Sequence, residues 1–313
     1  MEKVLEARGL TKKPLGKSLF NHIEFELGKG EVLALVGGPD SGKSSIMKAL
    51  YGAESVDQGD IMVSGISVNN DTLRARHKIG VVAQGDNFDN DLPALESLIV
   101  HASYFGIPFR QARSMARDWF RILGCDESQE GACVPFPKEF LHKMLMARAL
   151  VSNPQIVLLD GFTARLNASE MKGLRNVLQE LKKQGKSIVF STRSAHDAEF
   201  LADRALVIRE GETVLSGVPR DLVLKNVGKE VIEFPVEAED LDYHIERIRG
   251  KYEFLIANKK IVVFVPLDKI GRDLVPNFSS PAIQVRRANF NDVLLKTMGG
   301  HYIPRNEVLR AVP

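Results

Sequence analysis

Gly37, Gly38, Pro39, Asp40, Ser41, Gly42, Lys43 and Ser44 stand in the order G-x-x-x-x-G-K-[ST], with Ser45 next in line. A loop of small residues lets successive backbone N–H groups surround anionic oxygens, and a helix starting at its end adds the positive pole of its dipole. In such a cradle a lysine contacts the β and γ phosphates of a nucleotide, and the hydroxyl that follows it ligates magnesium. The ligands this predicts are ATP or ADP with Mg2+, with Lys43 and Ser44 as the principal contacts. VLALV at 32–36 and IMKAL at 46–50 supply the strand and the helix that such a loop has to join.

Two further residues have the chemistry to complete the site. Asp160 closes the apolar run QIVLLD at 155–160, and a carboxylate at the end of a buried strand is expensive unless metal, water or hydrogen-bond donors compensate it. It is the candidate Walker B carboxylate for magnesium and its bound water. Gln84 ends IGVVAQ at 79–84, and its amide both donates and accepts, which suits a contact to magnesium and attacking water beside a moving element.

Placing these residues together requires an α/β core. Candidate strands are FNHIEFEL at 20–27, VLALV, DIMVSG at 60–65, IGVVAQ, QIVLLD, SIVFS at 187–191 and ALVIREGETVLSG at 205–217, with Gly28 and Gly30 in the turn before VLALV. Residues 95–121 and 138–152 carry long helix-compatible patterns, and MKGLRNVLQELKKQG predicts an amphipathic crossover helix stopped by Gly185. Beyond residue 225, VIEFPVE, YEFLIANKKIVVFVP and AIQVRRANFNDVLLKTMGG predict a smaller α/β unit. A chain of 313 residues with 44% apolar and 26% charged composition supports such a two-part packed protein and excludes extensive disorder. No apolar run approaches the 18 residues of a membrane span. The 42 basic and 40 acidic residues leave a charge of +2, so composition gives no case for nucleic acid as partner. Cys125 and Cys133 are expected to serve ordinary packing in a reducing interior.

Together these motifs resemble the nucleotide-binding subunit of an ABC transporter. GGPDSGKSS is similar to Walker A, VVAQ to the Q-loop, MARALVSNPQIVLLD to the approach to Walker B and LADRALVIREGETVLSGVP to the last core strands, while VRRANFNDVLLKTMGG resembles the tail of ABC-2 type exporter ATPases. The resemblance implies a P-loop NTPase fold of the ABC type, with an antiparallel region, a helical insertion at about 90–152 in a domain spanning 1–225, and an accessory domain and tail at 226–313. It also implies a dimer sandwiching ATP and a transmembrane permease partner facing Gln84 and the helices after it. The location implied is cytoplasmic, peripheral to the membrane.

The departures from that pattern bear on activity. Gly161 occupies the place of the catalytic glutamate, and glycine has no proton acceptor. Arg193 stands at the switch-histidine position and cannot accept a hydrogen bond, with His196 displaced by three residues. Phe136, Pro137, Lys138 and Glu139 replace the LSGG signature, Asn167 replaces the D-loop aspartate, and Pro14 lies where relatives stack an aromatic ring on adenine, with Phe20 read as a core strand residue in preference to a substitute for that ring. The expectation is a subunit that binds Mg-ATP and hydrolyses it poorly, in a heterodimer rather than a homodimer. The alternatives are a nonhydrolytic regulatory or scaffold protein and an active exporter ATPase with relocated catalytic groups. Arg286 and Arg287 read as an exposed, polar strand end.

Overall fold

The computed structural model describes all residues except 1, 15–17, 86, 87, 89, 90, 134, 238, 239, 249–251, 258, 266, 276–281 and 300–313. The chain starts with β1 (Lys3–Lys12), β2 (Phe20–Gly28) and β3 (Val32–Val36), and the phosphate loop then leads into α1 (Lys43–Leu50). Next come β4 (Gln58–Val63), β5 (Ile66–Ser67), α2 (Thr72–Arg76) and β6 (Ile79–Val82). The insertion holds α3 (Ala94–Ser103), α4 (Phe109–Ile122) and α5 (Lys138–Leu150). The core resumes with β7 (Ile156–Leu159), α6 (Ala168–Lys183), β8 (Ser187–Thr192), α7 (Ala195–Leu201), β9 (Arg204–Arg209), β10 (Glu212–Gly217) and α8 (Pro219–Asn226). The last part comprises β11 (Glu230–Pro235), α9 (Leu241–Ile248), β12 (Phe254–Ala257), β13 (Lys260–Phe264), α10 (Gly271–Leu274), β14 (Gln284–Arg287) and α11 (Phe290–Met298).

Among the described residues the strands form three sheets. An antiparallel sheet has the order β2-β1-β4-β5, and the central sheet runs β10-β9-β3-β8-β7-β6, parallel except for β10 at its edge. β3 buries all of its residues. Val32, Ala34 and Val36 face one apolar cluster while Leu33 and Leu35 face the other. Successive strand side chains leave on opposite faces, so a strand covered on both sides has to be apolar throughout. Its neighbours repeat the pattern, with Ile188 and Phe190 of β8 on the first face and Val189 on the second. Parallel pairing has a functional consequence, because the carboxyl ends of β3, β6, β7 and β8 all open on one edge.

The long helix-compatible pattern at 95–121 is two helices, α3 and α4. Pro108 sits at the N-cap of α4 with φ −61° and ψ 143°, and a proline has no N–H with which to continue α3. Gly28 lies inside β2 and Gly30 alone takes the left-handed conformation, φ 72°, in the turn to β3. Among the described residues no helix is long and apolar enough to cross a membrane.

The four-stranded antiparallel sheet β12-β13-β11-β14 follows α8. One of its faces, through Val231, Val262 and Phe264, continues the main apolar cluster, and the other packs Ile232, Phe234 and Val263 with Ile248 of α9. α11 is held by a capping box in which Asn289 accepts from the N–H of Asp292 and Asp292 accepts from the N–H of Asn289. Arg286 is not a free strand end. Its guanidinium bridges Asp292, which is fully buried, at 2.8 Å and Glu233 at 3.0 Å. Removing the cation leaves Asp292 as an uncompensated buried charge, so Arg286→Ala is expected to destabilise the C-terminal unit by on the order of 3 kcal/mol. Urea unfolding followed by circular dichroism measures this, and an unchanged midpoint would show that Asp292 is satisfied by its helix cap alone.

Candidate functional site

The cradle is built by a turn that only glycine tolerates. Gly42 has φ 89°, and a Cβ there would lie 2.3 Å from the carbonyl oxygen of Leu19. Lys43 opens α1 and is 9% exposed, with Nζ donating to the Gly38 carbonyl at 2.6 Å and to Ser41 Oγ at 2.8 Å. The ammonium is therefore held over the loop whose backbone N–H groups form the cradle. Burial and then the nearby Arg193 guanidinium lower its pKa to about 8, against the opposing pull of Asp160 and Asp40.

Strand register brings the other groups to the same edge. Asp160 follows β7 and donates its N–H to the Val82 carbonyl at 2.9 Å, which sets the end of β7 against the end of β6. Thr192 of β8 pairs with Val36, and its carbonyl accepts from the Gly37 N–H at 3.3 Å, so Arg193 leaves the sheet beside the phosphate loop. Ser44 Oγ lies 3.1 Å from Asp160 Oδ1 and 3.4 Å from Gln84 Oε1. A hydroxyl, a carboxylate and an amide oxygen gathered at these distances are hard oxygen donors of the kind Mg2+ prefers, with water completing its octahedron. Among the described residues no cluster of three His, Cys, Asp or Glu side chains competes as a metal site. The expected residues Lys43, Ser44, Gln84 and Asp160 are thus brought together.

The family model of ABC transporters matches residues 20–164. A protein of Burkholderia thailandensis named Nod factor export ATP-binding protein I is 31% identical over 217 residues, covering 69% of this chain and 71% of the relative. The chain belongs to the ABC transporter family. A Mesorhizobium japonicum protein of the same name is 28% identical over 93% of this chain and 85% of its own length. A solved ATP-binding subunit of an ABC transporter superposes with a TM-score of 0.66, at 20% identity, over 71% of this chain and 92% of that one. An ATP-binding cassette dimer bound to ADP and Pi gives 0.63 at 21% identity over 68% and 98%. These two likenesses establish the fold.

In this ABC chain the atypical positions have definite structural roles. Gly161 has φ 61°, and its N–H donates to Ser191 Oγ at 2.8 Å. A Cβ at Gly161 would touch only the Gln84 side chain, at 3.9 Å, so space exists but the left-handed backbone disfavours any other residue. Phe136 packs edge-on against Phe88 and Phe140, Pro137 is the N-cap of α5, and Lys138 and Glu139 form its first turn. Arg193 is exposed at the end of β8. His196 is exposed and stacks on Phe200 one turn later in α7, so it is engaged along its own helix. Phe20 is fully buried in the core, as the preferred reading of it as a strand residue expects. Cys133 is exposed rather than packed.

Sequence reasoning missed Ser191. Its hydroxyl donates to Asp160 Oδ1 at 2.6 Å while accepting from the Gly161 N–H, fixing the carboxylate and the backbone after it. The signal was a hydroxyl directly after the apolar run 188–190 of β8. Asn167, weighed only as a lost charge, caps α6 by accepting from the N–H groups of Ser169 and Glu170.

The lowered pKa of Lys43 gives a pH signature. Phosphate favours the charged ammonium, so ATP binding above about pH 8 requires proton uptake, and affinity falls as pH rises from about 8 towards the ordinary lysine value of 10.5. Calorimetry near pH 9 in buffers of different ionisation enthalpy is expected to show uptake approaching one proton. Lys43→Arg, whose guanidinium stays protonated, is expected to show none from this position.

Proposed function

We propose that this chain is the nucleotide-binding subunit of an exporter, that it binds Mg-ATP through Lys43, Ser44, Gln84 and Asp160, and that its own site turns ATP over slowly. The observation that carries the reading is the meeting of Ser44, Asp160 and Gln84 beside Gly161, a metal-compatible oxygen set next to a position that has no side chain. Gly37 to Gly42 and Ser45 line the path of the phosphates, and Lys43 neutralises them. Ser44, Asp160 and Gln84 would hold magnesium, which would supply positive charge to offset that of the phosphates. Ser191 keeps Asp160 oriented.

Slow turnover follows from what the chain's own atoms offer to a water. A general base has to lie within hydrogen-bond reach of the proton it takes, and Gly161 offers only backbone. Arg193 binds anions and cannot accept a proton. Gly161→Glu would place a carboxylate on a backbone at φ 61°, at a conformational cost of about 1–2 kcal/mol. The substitution is therefore expected to restore little.

Export as the direction of transport rests on the names of the relatives, and the C-terminal unit after about residue 225 fits an accessory domain of such subunits. A transmembrane permease is the proposed partner, with the chain at the cytoplasmic face. A heterodimer with a second ATPase suits it better than a homodimer, because Phe136 is committed to packing with Phe88 and Phe140 and two copies would duplicate that substitution.

Calorimetric titration with Mg-ATP and a phosphate-release assay on the chain alone test this reading. Saturable binding is expected, weakened at least about tenfold by Lys43→Ala, with turnover well below the roughly 1–1000 per second typical of enzymes. Gly161→Glu is expected to raise turnover less than tenfold. Magnesium-dependent turnover of about 1 per second or more by the unmodified chain, abolished by Lys43→Ala, would overturn the slow-turnover reading.

A further inference from the structure

The end of α4, α5, the Phe162–Asn167 segment and α6 enclose a cavity of about 520 Å³ that none of Lys43, Ser44, Gln84, Asp160 or Arg193 lines. The volume is that of a small-molecule site. Ile122, Met146, Phe162, Leu174 and Val177 give it apolar walls. Its charged residues are unbalanced, because the carboxylates of Glu139, Glu170 and Glu180 meet only Lys143 among lysines and arginines of the lining.

Glu170 is the informative group. Its side chain is 13% exposed, Oε1 lies 2.8 Å from Nδ1 of the buried His142, and Oε2 accepts from the Asn167 N–H at 2.8 Å. Burial alone would raise its pKa, yet the Asn167 N–H, His142 and, least of these, the charge of Lys138 hold it below the usual carboxylate value. Among the described residues no lysine or arginine forms an ion pair with it. By contrast Glu139 pairs with Lys143 at 3.4 Å and Glu180 with Lys183 at 3.5 Å, both near the rim.

Gly173 is one of the residues that line the cavity. This residue lies inside the sixteen-residue α6, where glycine costs about 1 kcal/mol relative to alanine. A Cβ at Gly173 would meet nothing within 4 Å, so no close approach of backbone or side chain requires the glycine. A long side chain at this position would have the cavity as open space beside it, which makes Gly173 the place to fill it.

We infer that this cavity is a binding site for a small organic cation, an apolar ring or short chain carrying a protonated amine. The apolar part lies against Phe162 and Leu174, and the ammonium faces the Glu170 carboxylate. With three carboxylates and one lysine on otherwise largely apolar walls, the lining favours a cation over a neutral or anionic ligand of the same shape. Phe162 follows Asp160 by two positions, so the occupant rests against the segment that leaves the metal-facing strand.

Trp119 is the only tryptophan of the chain and lies one turn before Ile122 on α4, which provides an intrinsic reporter. The intact chain, without nucleotide, is titrated with 4-phenylbutylamine, 4-phenylbutanol and 4-phenylbutyrate while Trp119 fluorescence and the melting temperature are followed. Omitting nucleotide keeps the result independent of the ATP reading. The amine is expected to saturate at least about tenfold below the alcohol and the acid, and to raise the melting temperature. Gly173→Leu is expected to keep the circular dichroism spectrum and melting temperature while losing the saturable response. Glu170→Gln, which preserves an acceptor for the Asn167 N–H, is expected to weaken the amine about tenfold and leave the alcohol unchanged. The assignment falls if no probe saturates, if the three bind alike, if Gly173→Leu still binds the amine at full affinity, or if Glu170→Gln does so.

Discussion

A carboxylate at the end of a buried strand organises the nucleotide edge of this molecule. Asp160 is 5% exposed, and burying an anion without partners would cost several kcal/mol. Ser191 from β8 and Ser44 from α1 supply hydroxyl donors to the same oxygen, at 2.6 and 3.1 Å. These two contacts tie three elements together at a point where parallel strands end and no further sheet hydrogen bonds are available. The phosphate loop, Gln84 and Arg193 occupy their positions because β6 and β8 are registered against β7, which leads into Asp160, and β3 is registered against β8.

The same edge explains why holding a nucleotide and attacking it are separable demands. Holding phosphate needs backbone N–H groups, a cation and a metal-compatible oxygen set, and these come from the loop, Lys43, Ser44, Asp160 and Gln84. Attack needs a proton acceptor beside a positioned water. At Gly161 the chain instead has a left-handed turn whose N–H bonds to Ser191, and the side-chain position faces Gln84. Burial, and after it the positive charge of Arg193, depresses the proton affinity of Lys43. Two cations at one loop suit a polyanionic ligand and make a poor environment for a base.

The local parts of this architecture were legible in the sequence. Gly42, Lys43 and Ser44 lie within one turn of each other, so their spacing already specifies the loop, and the apolar run Val32–Val36 announces a strand covered on both faces. Gln84 and Asp160 were legible singly as polar residues ending apolar strands, but their meeting was not, because it depends on the order of β6, β7 and β8. Ser191 was missed for the same reason, since nothing adjacent to it in sequence reveals the carboxylate it serves. The pattern at 95–121 failed differently: apolar periodicity continues through Pro108 although the backbone cannot. Arg286 was taken for a surface charge because its partners Glu233 and Asp292 come from β11 and α11, and only the folded sheet brings all three together.

The small residues of α7 show how the C-terminal unit is joined to the nucleotide edge. The helix begins two residues after Arg193, with Ser194 as its cap accepting from the Asp197 N–H. Ala195 and Ala198 present almost no side chain, which lets α11 bring Phe290, Val293 and Leu294 into the same apolar cluster. Glu199 accepts the Phe290 N–H at 3.4 Å, and Arg209 of β9 reaches the Thr297 carbonyl at 2.7 Å. Larger residues on this face of α7 would push α11 away, and in a close-packed core that displacement would be felt along the helix as far as Ser194. The conformation of the segment carrying Arg193 and the seating of the last helix are therefore parts of one packing problem.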